Sequence, residues 1–91
     1  MTDIIIESQV TEEKLKSFGV RNWPIWEKEA SFFPWTYDAQ ETCYLLEGEV
    51  TVTPDNGKSV SFGVGDLVIF PAGMSCTWEI KKAVKKHYSF A

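Results

Sequence analysis

Short β-rich segments separated by glycine and proline turns dominate this chain and restrict its fold. The turn signals lie at residues 54–57, 63–66 and 71–73, and β-branched and aromatic residues fill the segments between them. The Asn-Gly pair in the first turn tolerates positive φ at little cost, which favours a hairpin. Such turns, about 8–12 residues apart, predict an antiparallel β-sandwich or barrel without parallel βαβ units.

One short helix is predicted before the strands, over residues 11–18. Thr11 is a favourable N-cap, two glutamates follow it in the first turn, and Gly19 ends the helix. About two turns of helix are marginal on their own, so we expect this one to dock on the sheet through Leu15 and Phe18.

The predicted strands follow from alternation and from their β-forming residues. The longest has Gly48 near its middle, where a strand bends or another backbone approaches closely. Pro34 lacks the N–H that a central strand needs, so its strand is predicted at a sheet edge. The predicted strands cover residues 31–37, 42–53, 58–62, 67–70, 75–80 and 86–90.

Composition and charge narrow the classes of function. The 91 residues suffice for one domain, residues 1–91, and 14% aromatic residues exclude a disordered chain. The formal net charge of −4 repels phosphate backbones and anionic lipid, so neither nucleic acid nor membrane is an expected partner. The lysine cluster at residues 81–86 is interpreted as a solvated loop.

Chain length and hydropathy also bear on localisation and assembly. No apolar run approaches the roughly 20 residues of a membrane span, which predicts a cytoplasmic protein unless a transit peptide has been removed. A small core with many aromatic side chains predicts a homodimer, formed through edge strands in the N-terminal half.

The cysteines and the single histidine limit the metal and redox chemistry of one chain. Cys43 and Cys76 lack the C-x-x-C spacing of redox and zinc motifs, so reduced thiols are expected. His87 alone cannot form a three-histidine zinc site or a two-histidine facial triad. The sequence also contains no phosphate-binding, dinucleotide-binding or nucleophile-elbow motif.

The middle of the chain resembles the cupin superfamily, whose jelly-roll β-barrels carry two short motifs that flank a hairpin. Glu41 and Gly48 have the spacing of the last two residues of the first motif. The second motif fits at Gly65, Pro71 and Gly73. The resemblance implies an all-β, antiparallel jelly-roll β-barrel, preceded by the one short N-terminal helix.

The whole chain is similar to the small single-domain cupins grouped with the ureidoglycine aminohydrolase cupin domain, but it departs from them at the metal site. The resemblance puts the metal-binding histidines of the superfamily at Trp35, Tyr37 and Cys76. The aminohydrolase branch has Glu, His, His and Gln at the four positions that correspond to Trp35, Tyr37, Glu41 and Cys76. None of the four residues matches here. Its manganese chemistry is therefore not expected, and no cofactor is predicted.

In such a barrel, period-two alternation turns six side chains toward the interior. They form a predicted aromatic-walled pocket for a small-molecule ligand. Ordinary barrel filling is the alternative for the aromatic residues, and buried thiols are equally typical of a core. The predicted lining is Trp35, Tyr37, Glu41, Cys43, Cys76 and Trp78.

Glu41 and Cys76 are the candidate catalytic residues. A carboxylate in an apolar interior is costly unless it is paired or protonated. Glu41 therefore needs a partner or a proton, and it is a candidate general acid or base. Cys76 acts as a nucleophile only where its thiolate is stabilised.

Three functional hypotheses follow. The first is a metal-independent or unusually liganded enzyme in which Glu41 exchanges a proton with an enclosed substrate. The second is a non-catalytic ligand-binding or sensing module, and the third is a filled barrel kept for assembly. A metal-dependent alternative uses Glu41 and Cys76, with His87 or Cys43, as ligands for a divalent ion.

Overall fold

The structure, a computed structural model, describes residues 4–90 and confirms the all-β fold with one short helix near the N-terminus. Every strand pairing among these residues is antiparallel. No helix in this range is long and apolar enough to cross a membrane. The elements are helix α1 (Glu12–Phe18), a 3-10 turn (Val20–Asn22) and strands β1 (Ile5–Glu7), β2 (Ile25–Lys28), β3 (Ser31–Thr36), β4 (Glu41–Pro54), β5 (Val60–Gly63), β6 (Leu67–Phe70) and β7 (Ser75–Phe90).

The two longest strands, β4 and β7, form the centre of the seven-stranded sheet built by the described residues. They pair from Glu41 opposite Phe90 to Pro54 opposite Cys76. Strands β6 and β5 pair with successive parts of β4, while β2 and β3 pair with opposite ends of β7. The main core cluster therefore draws most of its side chains from β4, β6 and β7.

Helix α1 has the caps that the sequence predicts. The Thr11 side chain accepts a hydrogen bond from the backbone N–H of Lys14 at 3.2 Å, and Gly19 adopts a left-handed conformation with φ 68°. Leu15 is buried in a small cluster beneath the helix. The sequence also predicts that Phe18 docks, but Phe18 is 46% exposed and lies beneath the Lys14 ammonium, with its ring centre 5.7 Å from the nitrogen.

Strand β7 runs without a break through the lysine cluster, so the predicted loop at residues 81–85 is wrong. The physical reason is charge pairing across the sheet, because Lys82 and Lys85 lie opposite Glu49 and Glu47 of β4. The Lys82 ammonium contacts the Glu49 carboxylate at 3.0 Å. Register shifts in the same part of the β4–β7 ladder absorb the local irregularity.

Gly48 allows β4 and β7 to approach closely at their bend, as the sequence predicts. Its φ is +112°, a conformation that side chains disfavour. A Cβ at this position would lie 2.7 Å from the backbone oxygen of Ala83 and 2.9 Å from that of Lys82. Only glycine fits there without a backbone shift.

The sheet edges include one strand that the sequence does not predict. Strand β1 pairs with β6 through three residues, too few for a clear alternation. Strand β3 contains Pro34 and, within residues 4–90, pairs with β7 alone, which agrees with its predicted place at an edge. Homodimer formation through such edges stays a prediction.

Candidate functional site

A cavity of about 200 Å³ lies between β2, β3, β4 and β7. Seven of its nine lining residues are aromatic, and the other two are Glu41 and Lys86. Trp35 and Phe90 are about half exposed, so they form the mouth. The lining residues are Trp26, Phe33, Trp35, Tyr37, Glu41, Trp78, Lys86, Tyr88 and Phe90.

Direct cross-strand pairing assembles the cavity wall. Trp26 of β2 lies opposite Lys86 of β7, and Phe33 of β3 lies opposite Trp78. The Phe33 and Trp78 rings stack with their centres 6.1 Å apart. Such pairs stabilise a sheet through side-chain contact, and here they also give the cavity flat apolar walls.

The polar part of the wall is a buried ion pair. The Lys86 Nζ donates to Glu41 Oε2 at 2.7 Å, and the two side chains are only 6% and 4% exposed. The same nitrogen lies 4.7 Å from the ring centre of Trp78 and 4.9 Å from that of Trp26. Glu41 thus has the partner that a buried carboxylate requires, and the ammonium has two ring faces beside it.

The ion pair, whose two residues line the cavity, keeps some hydrogen-bonding capacity. Within residues 4–90, Glu41 Oε2 receives the hydrogen bond from Lys86, whereas Glu41 Oε1 receives none. The Lys86 ammonium has three N–H donors, and only one of them is hydrogen-bonded to an acceptor among the described residues. A ligand in the cavity therefore meets both a free acceptor and free donors.

Tyr37 adds a neutral hydroxyl to the wall. Its backbone N–H donates to Met74 O at 2.9 Å, and its carbonyl accepts from the Gly73 N–H, so the turn after β6 holds it in place. Trp78 Nε1 donates to the Tyr37 hydroxyl at 3.1 Å. Burial first, and then the charge of Glu41, raise the pKa of Tyr37. The hydroxyl therefore keeps its proton as a potential donor.

The two cysteines lie in the core and not on the cavity wall, which corrects the pocket drawn from alternation. Cys43 faces the interior as expected, but deeper side chains enclose it completely. Cys76 is 2% exposed and its thiol donates to the Trp35 carbonyl at 3.6 Å. Neither thiol lines the cavity. Alternation predicts which way a side chain faces but not how deeply it is buried, which is why the prediction included both cysteines.

Burial also changes the acidity of both thiols. It raises the pKa of Cys43 to about 12, against the opposing effect of the Lys86 ammonium. It raises the pKa of Cys76 to about 11, with smaller contributions from the charges of Asp55 and Glu41. Thiols of this kind are poor nucleophiles at neutral pH, which removes chemical support for a catalytic role of Cys76.

We expect slow alkylation of Cys76 in the folded protein. Burial raises the pKa of Cys76 to about 11, so near neutral pH the thiolate fraction is about 100-fold smaller than that of a thiol with the ordinary value of 9.0. Iodoacetamide labelling followed by mass spectrometry measures this, with the urea-unfolded protein as control. The rate should rise with pH up to about 11. Equal labelling of folded and unfolded protein near neutral pH would contradict the prediction.

His87 lies outside the cavity. Its side chain is buried, and Nδ1 lies 2.9 Å from the Trp23 carbonyl oxygen. In the next residue, the Tyr88 N–H donates to Pro24 O at 3.1 Å. Both contacts hold the segment that leads into β2, so His87 has a structural position and does not reach Glu41.

The residues at the superfamily's metal positions do not fit a divalent ion. Among residues 4–90, no group of three or more His, Cys, Asp or Glu side chains is placed to hold one. Trp35 has no ligand atom, Tyr37 is a protonated phenol and Cys76 is a protonated thiol. Glu41 is already paired with an ammonium. The alternative that joins Glu41 and Cys76 to His87 or Cys43 finds no support in this geometry.

The sequence predicts that Trp35, Tyr37, Glu41 and Trp78 surround one space, and all four lie on the cavity wall. The predicted lining lacks Lys86, which supplies the cationic donor. A usable signal was present, because even-numbered side chains of the terminal segment continue the inward phase of Trp78. The residues missed in the lining are Trp26, Phe33, Lys86, Tyr88 and Phe90.

Known structures share this fold over most of the chain. A DUF861 family protein from Thermotoga maritima is 50% identical, with a TM-score of 0.94, and the match covers 98% of this chain and 100% of that one. Ethanolamine utilization protein Q from Salmonella typhimurium LT2 is 25% identical, with a TM-score of 0.64 over 93% of this chain and 66% of that one.

A third structure, the EutQ protein of Clostridium difficile, shows the same fold at 20% identity, with a TM-score of 0.65. That match covers 93% of this chain and 64% of the other, so this chain spans about two thirds of each EutQ protein.

No curated protein matches the chain. The sequence profile of the EutQ-like cupin domain matches residues 15–88. The chain therefore belongs to the EutQ-like cupin domain family, within the cupin superfamily that its glycine and proline spacing resembles.

Proposed function

We propose that this protein binds a compact, neutral small molecule in the aromatic cavity, and that Glu41 is positioned to exchange a proton with it. The observation that supports the proposal is the ion pair of Glu41 and Lys86, buried to 4% and 6% exposure on the wall of an otherwise aromatic cavity. Burying two charges is costly, and a hydrophobic pair of similar volume would fill the same space at lower cost. A ligand that uses both groups explains why they are there.

The size and composition of the cavity favour a compact ligand. A volume of about 200 Å³ lies below the roughly 300–1,000 Å³ of pockets for drug-sized ligands. The walls offer ring faces of Trp26, Phe33 and Trp78, which contact apolar faces of a ligand. Among the described lining residues, polar side-chain contacts come from the ion pair, the hydroxyl groups of Tyr37 and Tyr88, and the indole N–H groups.

Charge balance favours a neutral ligand. Glu41 and Lys86 cancel, and the other seven lining residues carry no charge. An anion would meet the Glu41 carboxylate, and a cation would meet the Lys86 ammonium, in a site largely removed from water. A net charge left in such a site is costly.

The test is a binding screen of small neutral metabolites by thermal shift, followed by calorimetry. Loss of the pair in E41Q/K86M should weaken binding of any hit by about 10- to 100-fold, the effect of losing a hydrogen bond to a charged group. The matched control is E49Q/K82M, which removes the exposed ion pair between the same two strands. Equal affinity in both double variants, or an absence of neutral ligands for the wild-type protein, would reject the proposal.

A further inference from the structure

The cavity wall presents both hydrogen-bond donors and an acceptor. Lys86 offers unpaired N–H donors, Tyr37 offers an O–H donor, and Glu41 Oε1 offers an acceptor that the described residues leave unbonded. Donors and an acceptor therefore lie close to one another on one wall. A ligand complementary to them carries an oxygen acceptor next to an acidic hydrogen.

The Lys86 ammonium is held as a donor and not as a nucleophile. Glu41 lies 2.7 Å from its nitrogen, and two indole rings lie within 5 Å, an arrangement that stabilises a cation. A positioned cationic donor in a site sheltered from water stabilises negative charge that develops on an oxygen. Covalent capture of a carbonyl carbon would need the uncharged amine.

We propose that the substrates are neutral α-hydroxy carbonyl compounds and that the protein catalyses proton exchange and isomerisation at the carbon next to the carbonyl. This inference rests on the proposed function, since it assigns a substrate class and a reaction to the same cavity. Lys86 binds the carbonyl oxygen, and Glu41 Oε1 faces the hydrogen on the hydroxyl-bearing carbon. The aromatic walls contact the carbon skeleton and exclude water.

The step balances without any further reactant. Glu41 takes the proton from the hydroxyl-bearing carbon, the C–H electron pair becomes a C=C bond, and the carbonyl π pair moves onto the oxygen. Lys86 stabilises that oxyanion, which accepts a hydrogen bond from the Tyr37 hydroxyl and takes up the proton of the neighbouring hydroxyl. Return of the proton to the first carbon regenerates the substrate. Its delivery from Glu41 to the former carbonyl carbon gives the isomeric hydroxy carbonyl compound, because the oxygen that gave up its proton then forms the new C=O bond.

The experiment follows hydrogen–deuterium exchange by proton NMR in D₂O. The probes are hydroxyacetone, dihydroxyacetone and D-fructose, with acetone as a ketone that lacks the hydroxyl and glycolate as an anion. The wild-type protein should accelerate exchange at the hydroxyl-bearing carbon of at least one hydroxy ketone, and it should leave glycolate unchanged. E41Q should lower the enzymatic rate by about 10²- to 10⁴-fold, the contribution of a general base.

Lys86→Met should lower the same rate by about 10²- to 10³-fold, the effect of losing an oxyanion donor. E49Q and K82M should retain the wild-type rate. Circular dichroism reports whether each variant folds, and E41Q/K86M, which leaves no unpaired charge, replaces K86M if that variant does not fold.

Two results would overturn the inference. One is a wild-type rate no faster than buffer for all three hydroxy ketones, and the other is an E41Q rate equal to that of the wild-type protein. If neutral ligands still bind in a manner that depends on Glu41 and Lys86, the binding function stands and the reaction alone is rejected. If no neutral compound binds, the proposed function itself fails.

Discussion

Lys86→Met is expected to lower the free energy of unfolding by about 3–5 kcal/mol, because it leaves the Glu41 carboxylate buried without its partner. Methionine keeps the unbranched shape of the lysine stem, so the change removes the charge with little change in packing. Glu41 is 4% exposed and lies among aromatic rings, so solvent compensates little for the lost ammonium. Urea unfolding near neutral pH measures the effect.

A surface control and the double variant E41Q/K86M separate the buried charge from other consequences of the substitution. Lys82→Met breaks an ion pair on the same two strands, but its side chains are 74% and 55% exposed, so it should cost at most about 1 kcal/mol. E41Q/K86M should regain most of the stability that K86M loses, since no unpaired charge remains. A loss below about 1 kcal/mol in K86M would show that the pair is not desolvated as the structure indicates.

Local signals account for the parts of the fold that the sequence predicts well. The caps of α1 depend on Thr11 and Gly19, which act within one turn of the residues they stabilise. Gly48 also indicates its own conformation, because a residue without a Cβ can adopt positive φ whatever residues lie opposite it. These residues therefore indicate their own conformation before any tertiary contact is known.

Non-local pairing explains where the sequence prediction failed. A stretch with four lysines is typical of a solvated loop, and only the carboxylates of Glu47 and Glu49 on β4 make it a strand. The false loop interrupted the alternation of β7 and hid the inward facing of Lys86. Burial alone shows that Glu41 needs a partner, and alternation gives the facing of Lys86, but the contact between the two depends on the register of β7 against β4.

The sequence also does not show how deeply a side chain is buried. Alternation puts Glu41 and Cys43 on the same face of β4, yet only Glu41 reaches the cavity. Cys43 is covered completely, which depends on the size of side chains arriving from other strands. Facing is a property of one strand, whereas depth is a property of the whole core.

Trp78→Ala is expected to have the largest effect on stability of any single aromatic substitution in the cavity wall, about 3–5 kcal/mol. The indole is 2% exposed, and its ring centre lies within 6.2 Å of those of four other aromatic residues. Its removal leaves a large void and deprives the Tyr37 hydroxyl of a donor. A loss of this size is a large part of the roughly 5–15 kcal/mol that stabilises a small domain.

Two matched substitutions test why Trp78 has this effect. Trp78→Phe keeps a ring in the core and removes the Nε1–H donor, so about 1–3 kcal/mol should be lost, less than in the alanine variant. Trp35→Ala removes an indole from the half-exposed mouth of the same cavity, and about 1 kcal/mol or less should be lost. Chemical denaturation ranks the three variants. If W35A were as destabilising as W78A, the mouth would be as tightly packed as the core, and the cavity would not be open to a ligand.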